Sequence, residues 1–163
     1  MHEDGQIFTA TLLSTALSTG GPHDLLALLS TGASQVEVLR LELQQISTAP
    51  QAMSVELFRG STANPGGSAI TPANMSGWPS APLAKSGLNG NSSTPMSTAS
   101  AVRIAAGGFG ADSGKYVFEP AGNLVLSSIG GGQRAHVRVS APGAAVPIAL
   151  TMTFAERGRI PSS

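Results

Sequence analysis

The chain has 163 residues, room for one domain with a sizeable core and too few for two comfortable ones. Charged residues are 11% of it, and nine basic against nine acidic side chains give a net charge of zero, which removes the electrostatic argument for nucleic acid as a partner. The absence of cysteine excludes disulfides and thiolate metal ligands, so stability must come from the core, from oligomerisation, or from both.

The first residues, "MHEDGQ", read as a free N-terminal arm over 1–6 that can reach a neighbour. They open with His, Glu and Asp, and the apolar residues that follow are broken by Thr and Ser, so no signal peptide is expected. Nor does any window approach the roughly 18 apolar residues of a membrane helix. "IFTATLLSTALS" (Ile7 to Ser18) is rich in β-branched residues and reads as a strand. "PHDLLALLSTG" is ambiguous. Leu25, Leu28 and Leu29 have helical spacing with Asp24 as a possible cap, but the Ser-Thr-Gly cluster ending at Gly32 stops the run so soon that a short buried strand is preferred.

In "QVEVLRLELQQI", Leu39, Leu41 and Leu43 alternate with Arg40, Glu42 and Gln44, while Val36 and Val38 have the opposite parity. Either the strand is buried on both faces near its start or a bulge resets it. "AMSVELF" places Met53, Val55 and Leu57 on one face. After a long interval come "SAVRI", "KYVFEP" and "NLVLSSI". In "RAHVRVS", Ala135, Val137 and Val139 alternate with outward His136 and Arg138. "PIALTMTFAE" turns Ile148, Leu150, Met152 and Phe154 inward and Thr151 and Thr153 outward, and 157–163 form a C-terminal tail. The expectation is eight or nine short strands. With 20 Gly and 11 Pro excluding long helices, the fold class is all-β: a two-sheet antiparallel sandwich, jelly-roll-like, with a long central loop.

That loop, 59–98, is rich in Pro, Gly, Ser and Asn. It is too poorly flanked to be a linker, because neither half of the chain carries enough strands to bury a core alone. Its Met75, Trp78, Leu83 and Leu88 are residues a solvated linker rarely spends, and with Arg59 at its start they are the candidate protein-interface residues of one ordered excursion.

Signals for chemistry are weak. His2, His23 and His136 lie far apart and in no ligand spacing, so no metal site is expected. "GGFGADSGKY" fails as a phosphate loop, having Phe109 where glycine is needed and Tyr116 where a hydroxyl of Ser or Thr is needed. "IGGGQR" reads as a hairpin turn. There is no G-x-S-x-G elbow, and no base or orienting group singles out any serine. No catalytic residue and no cofactor are expected, and the arginines at 134, 138, 157 and 159 have no aromatic platform beside them for single-stranded nucleic acid.

The order of elements resembles a group of small β-rich virion proteins of tailed bacteriophages that decorate or cement the capsid. The resemblance is carried by "FTATLLSTALSTGGPHDLLALLSTGASQVEVLRLEL", by "VELFRGSTANPGGSAITPANM", by "RAHVRVSAPGAAVPIALTMTFAE" after a Gly-containing turn, and by length. "MSGWPSAPLAKSGLNGNSS" has no counterpart in that pattern. The resemblance implies a jelly-roll-like sandwich, a homo-oligomer with a trimer favoured, the major capsid protein as partner, and a place on the capsid surface of the virion after synthesis in the host cytoplasm. A tail or head-fibre component, or a glycan-binding β-sandwich, would share the fold. The glycan reading has only Trp78 and Tyr116 to offer for stacking on sugars.

Overall fold

A computed structural model describes residues 6–14, 21–30, 35–47, 51–61, 68–75, 89–92, 97–110, 114–120, 124–126, 133–140 and 146–157. They hold twelve strands: β1 (Gln6–Leu13), β2 (Pro22–Leu29), β3 (Gln35–Gln45), β4 (Met53–Gly60), β5 (Ser68–Ala69), β6 (Ala73–Asn74), β7 (Asn89–Ser92), β8 (Val102–Phe109), β9 (Lys115–Phe118), β10 (Leu124–Leu126), β11 (Arg134–Ser140) and β12 (Ile148–Arg157). All pairings are antiparallel. Sheet I runs β10-β3-β12-β1-β6, with β9 beside β10 on the same edge of β3, and sheet II runs β5-β7-β2-β11-β4-β8.

The order is that of a rolled hairpin. β1 pairs with β12, β2 with β11, β3 with β9 and β10, and β4 with β8, while β1 to β4 alternate between the sheets. This is the connectivity of a jelly roll. The sheets share one core, in which Phe8, Leu25, Leu26, Leu28, Leu41, Leu43, Leu150, Met152 and Phe154 are inaccessible or nearly so. Phe8 and Phe154 face one another across β1 and β12 with ring centroids 5.6 Å apart. On the far side of the roll Gly107 lies under the Tyr116 ring, so close that a Cβ there would stand 2.6 Å from Cε2.

The parity change in β3 has a single cause. The register against β12 shifts so that Thr153 faces Arg40 and Phe154 faces Val38, leaving Leu39 as the extra residue of a bulge. Val36 and Val38 before it and Leu41 and Leu43 after it therefore all reach the core. In β2 the same device, a register shift beside Leu25, lets Leu25 and Leu26 both point inward and turns Asp24 to the opposite face. "PHDLLALL" is thus a strand, and Asp24 caps nothing.

Nine strands are where the sequence places them, and the other three lie inside the excursion. β6 pairs with β1 at the edge of sheet I, β7 pairs with β2 at the edge of sheet II, and β5 pairs with β7. The excursion leaves from β4 and closes both sheets on the opposite side of the sandwich. Three expectations are corrected. "IGGGQR" joins β10 in one sheet to β11 in the other, so it connects no hairpin. Gln6 and Arg157, expected in arm and tail, are ladder residues opposite Glu156 and Gln35. His136 does point away from the core, yet it is fully buried.

Candidate protein-interaction face

The outer face of sheet I follows from the registers. Inward Phe8 and Ala10 force Ile7, Thr9, Thr11 and Leu13 outward on β1. Across the ladder they meet Ala155, Thr153, Thr151 and Ala149 of β12. Thr9, Thr11, Thr151 and Thr153 form a block of hydroxyls and methyls in the middle of the face. Ile7 and Met75 stand at one end, where the Met75 amide donates to the Ile7 carbonyl at 2.8 Å. Leu13 and Ile46 stand at the other, where the Ile46 amide donates to the Pro147 carbonyl at 2.9 Å. Val117 of β9, opposite Glu42, adds an apolar residue on the third side.

Of the six large hydrophobic side chains exposed among the described residues, five lie on this face: Ile7 (38%), Leu13 (68%), Ile46 (50%), Met75 (65%) and Val117 (42%). The sixth, Val102, belongs to β8. Scattered exposed apolar residues are ordinary, whereas five on one sheet face make that face the candidate for binding.

Among the described residues, the ion pairs of this face run along β3 and the β9 edge. Arg40 pairs with Glu42 and reaches Glu119 at 2.8 Å, and Lys115 stands 3.4 Å from Glu42. The hydrogen bond from Arg40 holds the Glu42 carboxyl below the usual carboxylate range. Partial burial works against that shift, and the charges of Arg40 and Lys115 add to it. Because the folded-state value is depressed, the contribution of Glu42 to stability is present above the unfolded carboxylate value and disappears as pH falls through the folded one. Glu42→Gln therefore flattens the acid limb of a plot of unfolding midpoint against pH below about pH 5 and leaves the neutral limb parallel to that of the parent.

The outer face of sheet II has the opposite character. Asp24 of β2 lies opposite Arg138 of β11, Nε–Oδ1 2.7 Å and Nη2–Oδ2 3.3 Å, with side-chain exposures of 0% and 8%. The Arg138 guanidinium lies 5.2 Å from the centre of the Phe58 ring, which Arg103 approaches at 5.9 Å. His136 and Ala27, neighbours in the same face, are also buried. Asp24, Arg138, Phe58, His136 and Ala27 are all buried, so they form internal structure.

Comparison with protein-family models, with curated proteins and with solved structures finds no match for this chain. The geometry of the two faces therefore carries the functional reading.

Of the residues singled out in the sequence, Met75 lies on the sheet I face, while Arg59 is exposed at the end of β4 in sheet II and belongs to a different surface. Trp78, Leu83 and Leu88 lie outside the described residues. Ile7, Leu13, Ile46 and Val117 were not singled out. The signal for two of them was present in "IFTATLL", where an inward Phe8 leaves Ile7 and Leu13 on the wet side. Among the described residues no group of three or more His, Asp or Glu could hold a metal ion.

Proposed function

We propose that this chain is a structural virion protein that docks on the outer surface of a phage capsid and stabilises contacts between major capsid protein subunits. Sheet I supplies the docking face. The observation that carries this reading is the collection of Ile7, Leu13, Ile46, Met75 and Val117 around a threonine centre flanked by the ion pairs of Arg40, Glu42, Lys115 and Glu119. Such a face binds by area, shape and hydroxyl hydrogen bonds, as a cementing partner does, and holds no group poised to react. The jelly roll and the resemblance noted above point the same way, and the resemblance adds a homo-oligomer, a trimer by preference.

The test is co-sedimentation of the purified protein with capsids that lack it. Leu13→Asp, at an exposed position and so compatible with folding, weakens capsid binding about tenfold or more, the scale expected for removing one buried apolar anchor. Arg59→Ala leaves binding unchanged. Sedimentation with isolated tails instead of heads assigns the protein elsewhere in the virion, and unchanged binding by Leu13→Asp removes the sheet I face from the interface.

A further inference from the structure

Among the described residues, three of the four sheet edges end in short strands. β6 and β5 have two residues each, and the β3 side of sheet I ends in β9 and β10, of four and three residues. Short edge strands are one of the ways natural sheets avoid joining other sheets. The fourth edge breaks the pattern. β8 runs for eight residues, is paired only with β4 among the described strands, and is exposed over most of its length. Its protective features are confined to its start: Arg103, the strand's only charge, and a register shift beside Ile104. From Ala105 to Phe109 there is no charge, proline or bulge to deter a further strand.

We infer that β8 is a self-association edge, through which two copies of this chain pair antiparallel about a two-fold axis at Ala106 and extend sheet II across both molecules. The sequence "VRIAAGGF" is self-complementary in that arrangement. Ala106 of one copy faces Ala106 of the other and Ala105 faces Gly107, so the strands meet through small side chains, and the bulge at Ile104 ends the regular pairing before Arg103. Arg103 is already paired with Glu56 of its own chain at 3.0 Å. The two copies of Arg103 lie about 20 Å apart along the ladder, and no like charges meet. The pairing uses none of the sheet I face, so docking on a capsid and self-association are independent. A trimer built through other surfaces would be joined in pairs, giving a hexamer.

The absence of cysteine makes a direct test possible. Ala106→Cys puts a single thiol at the axis, where Cα atoms of directly opposed residues are about 4.5–5.5 Å apart, within disulfide reach. On mild oxidation the full-length variant gives a covalent dimer in high yield, while Ser97→Cys, exposed in the segment before β8 and far from the axis along the chain, does not. Ala106→Arg places two guanidinium groups face to face and raises the dissociation constant of the pair about tenfold or more in sedimentation equilibrium, with an unchanged circular dichroism spectrum. The parent protein has an even copy number at micromolar concentration. A monomer or a simple trimer, no preferential cross-linking at 106, or an Ala106→Arg variant that associates as the parent does would each overturn the assignment.

Discussion

Replacing Asp24 with alanine lowers the free energy of unfolding by about 3–5 kcal/mol, read as a drop in the urea midpoint at neutral pH with little change in slope. The carboxylate is wholly inaccessible, and its bidentate partner Arg138 is nearly so. Removing it leaves a guanidinium buried against Phe58 without its bidentate partner. The magnitude comes from burying that charge without its carboxylate more than from the lost attraction, and a second variant separates the two. The double replacement Asp24→Leu with Arg138→Met removes both charges and recovers most of the loss. If the single variant loses under about 1 kcal/mol, the pair behaves as a surface ion pair and the face is open to water. Glu119→Ala is the internal control, because the Arg40 contact it removes is exposed and worth less than about 1 kcal/mol.

The pair also explains a detail of the fold. Asp24 and Arg138 adjoin the register shift where Leu25 becomes the extra residue of β2. A strand with Leu at 25, 26, 28 and 29 could slip by one place at small hydrophobic cost. The ion pair gives one register a bidentate bond that the slipped one lacks, which is a role in specificity more than in net stability.

How far the sequence is legible depends on whether a strand has one wet face. β12 has strict alternation because one of its faces is partly open, and β11 alternates in residue type, Ala135, Val137 and Val139 against His136 and Arg138, although both of its faces are buried, so the parity of each can be read directly. β3 can be read through its bulge, because the switch of parity between Val38 and Leu41 has few other causes. β2 resists, since Leu25, Leu26, Ala27 and Leu28 are buried on both faces and the period vanishes. β5, β6 and β7 are not legible at all. They are strands because β1 and β2 present open edges to them, and nothing in "SA", "AN" or "NGNS" reports that. The candidate face is intermediate: the positions of Ile7 and Leu13 follow from Phe8, but their gathering with Ile46, Met75 and Val117 needs the order of strands in sheet I.

The same dependence makes Phe154 a sensitive apolar position beneath the face. Phe154→Ala lowers the unfolding free energy by about 3–5 kcal/mol, because its ring is fully buried and stacks on Phe8. Its cross-strand partners are Phe8 on one side and Val38 on the other, beside the Leu39 bulge, so neither neighbouring strand can collapse into the void without moving its ladder. Phe8→Ala is comparably costly, and a double-mutant cycle between them gives a coupling of about 0.5–1.5 kcal/mol, the part due to ring contact beyond burial. The outward residues of β1 and β12 keep their backbone pairing in both variants. Below the lowered melting transition, Phe154→Ala therefore binds capsids as the parent does, whereas Leu13→Asp keeps its stability and loses binding. If both fail together at low temperature, the outer face depends on the packing beneath it, and sheet I acts as a shaped surface whose curvature is set by the Phe8–Phe154 stack.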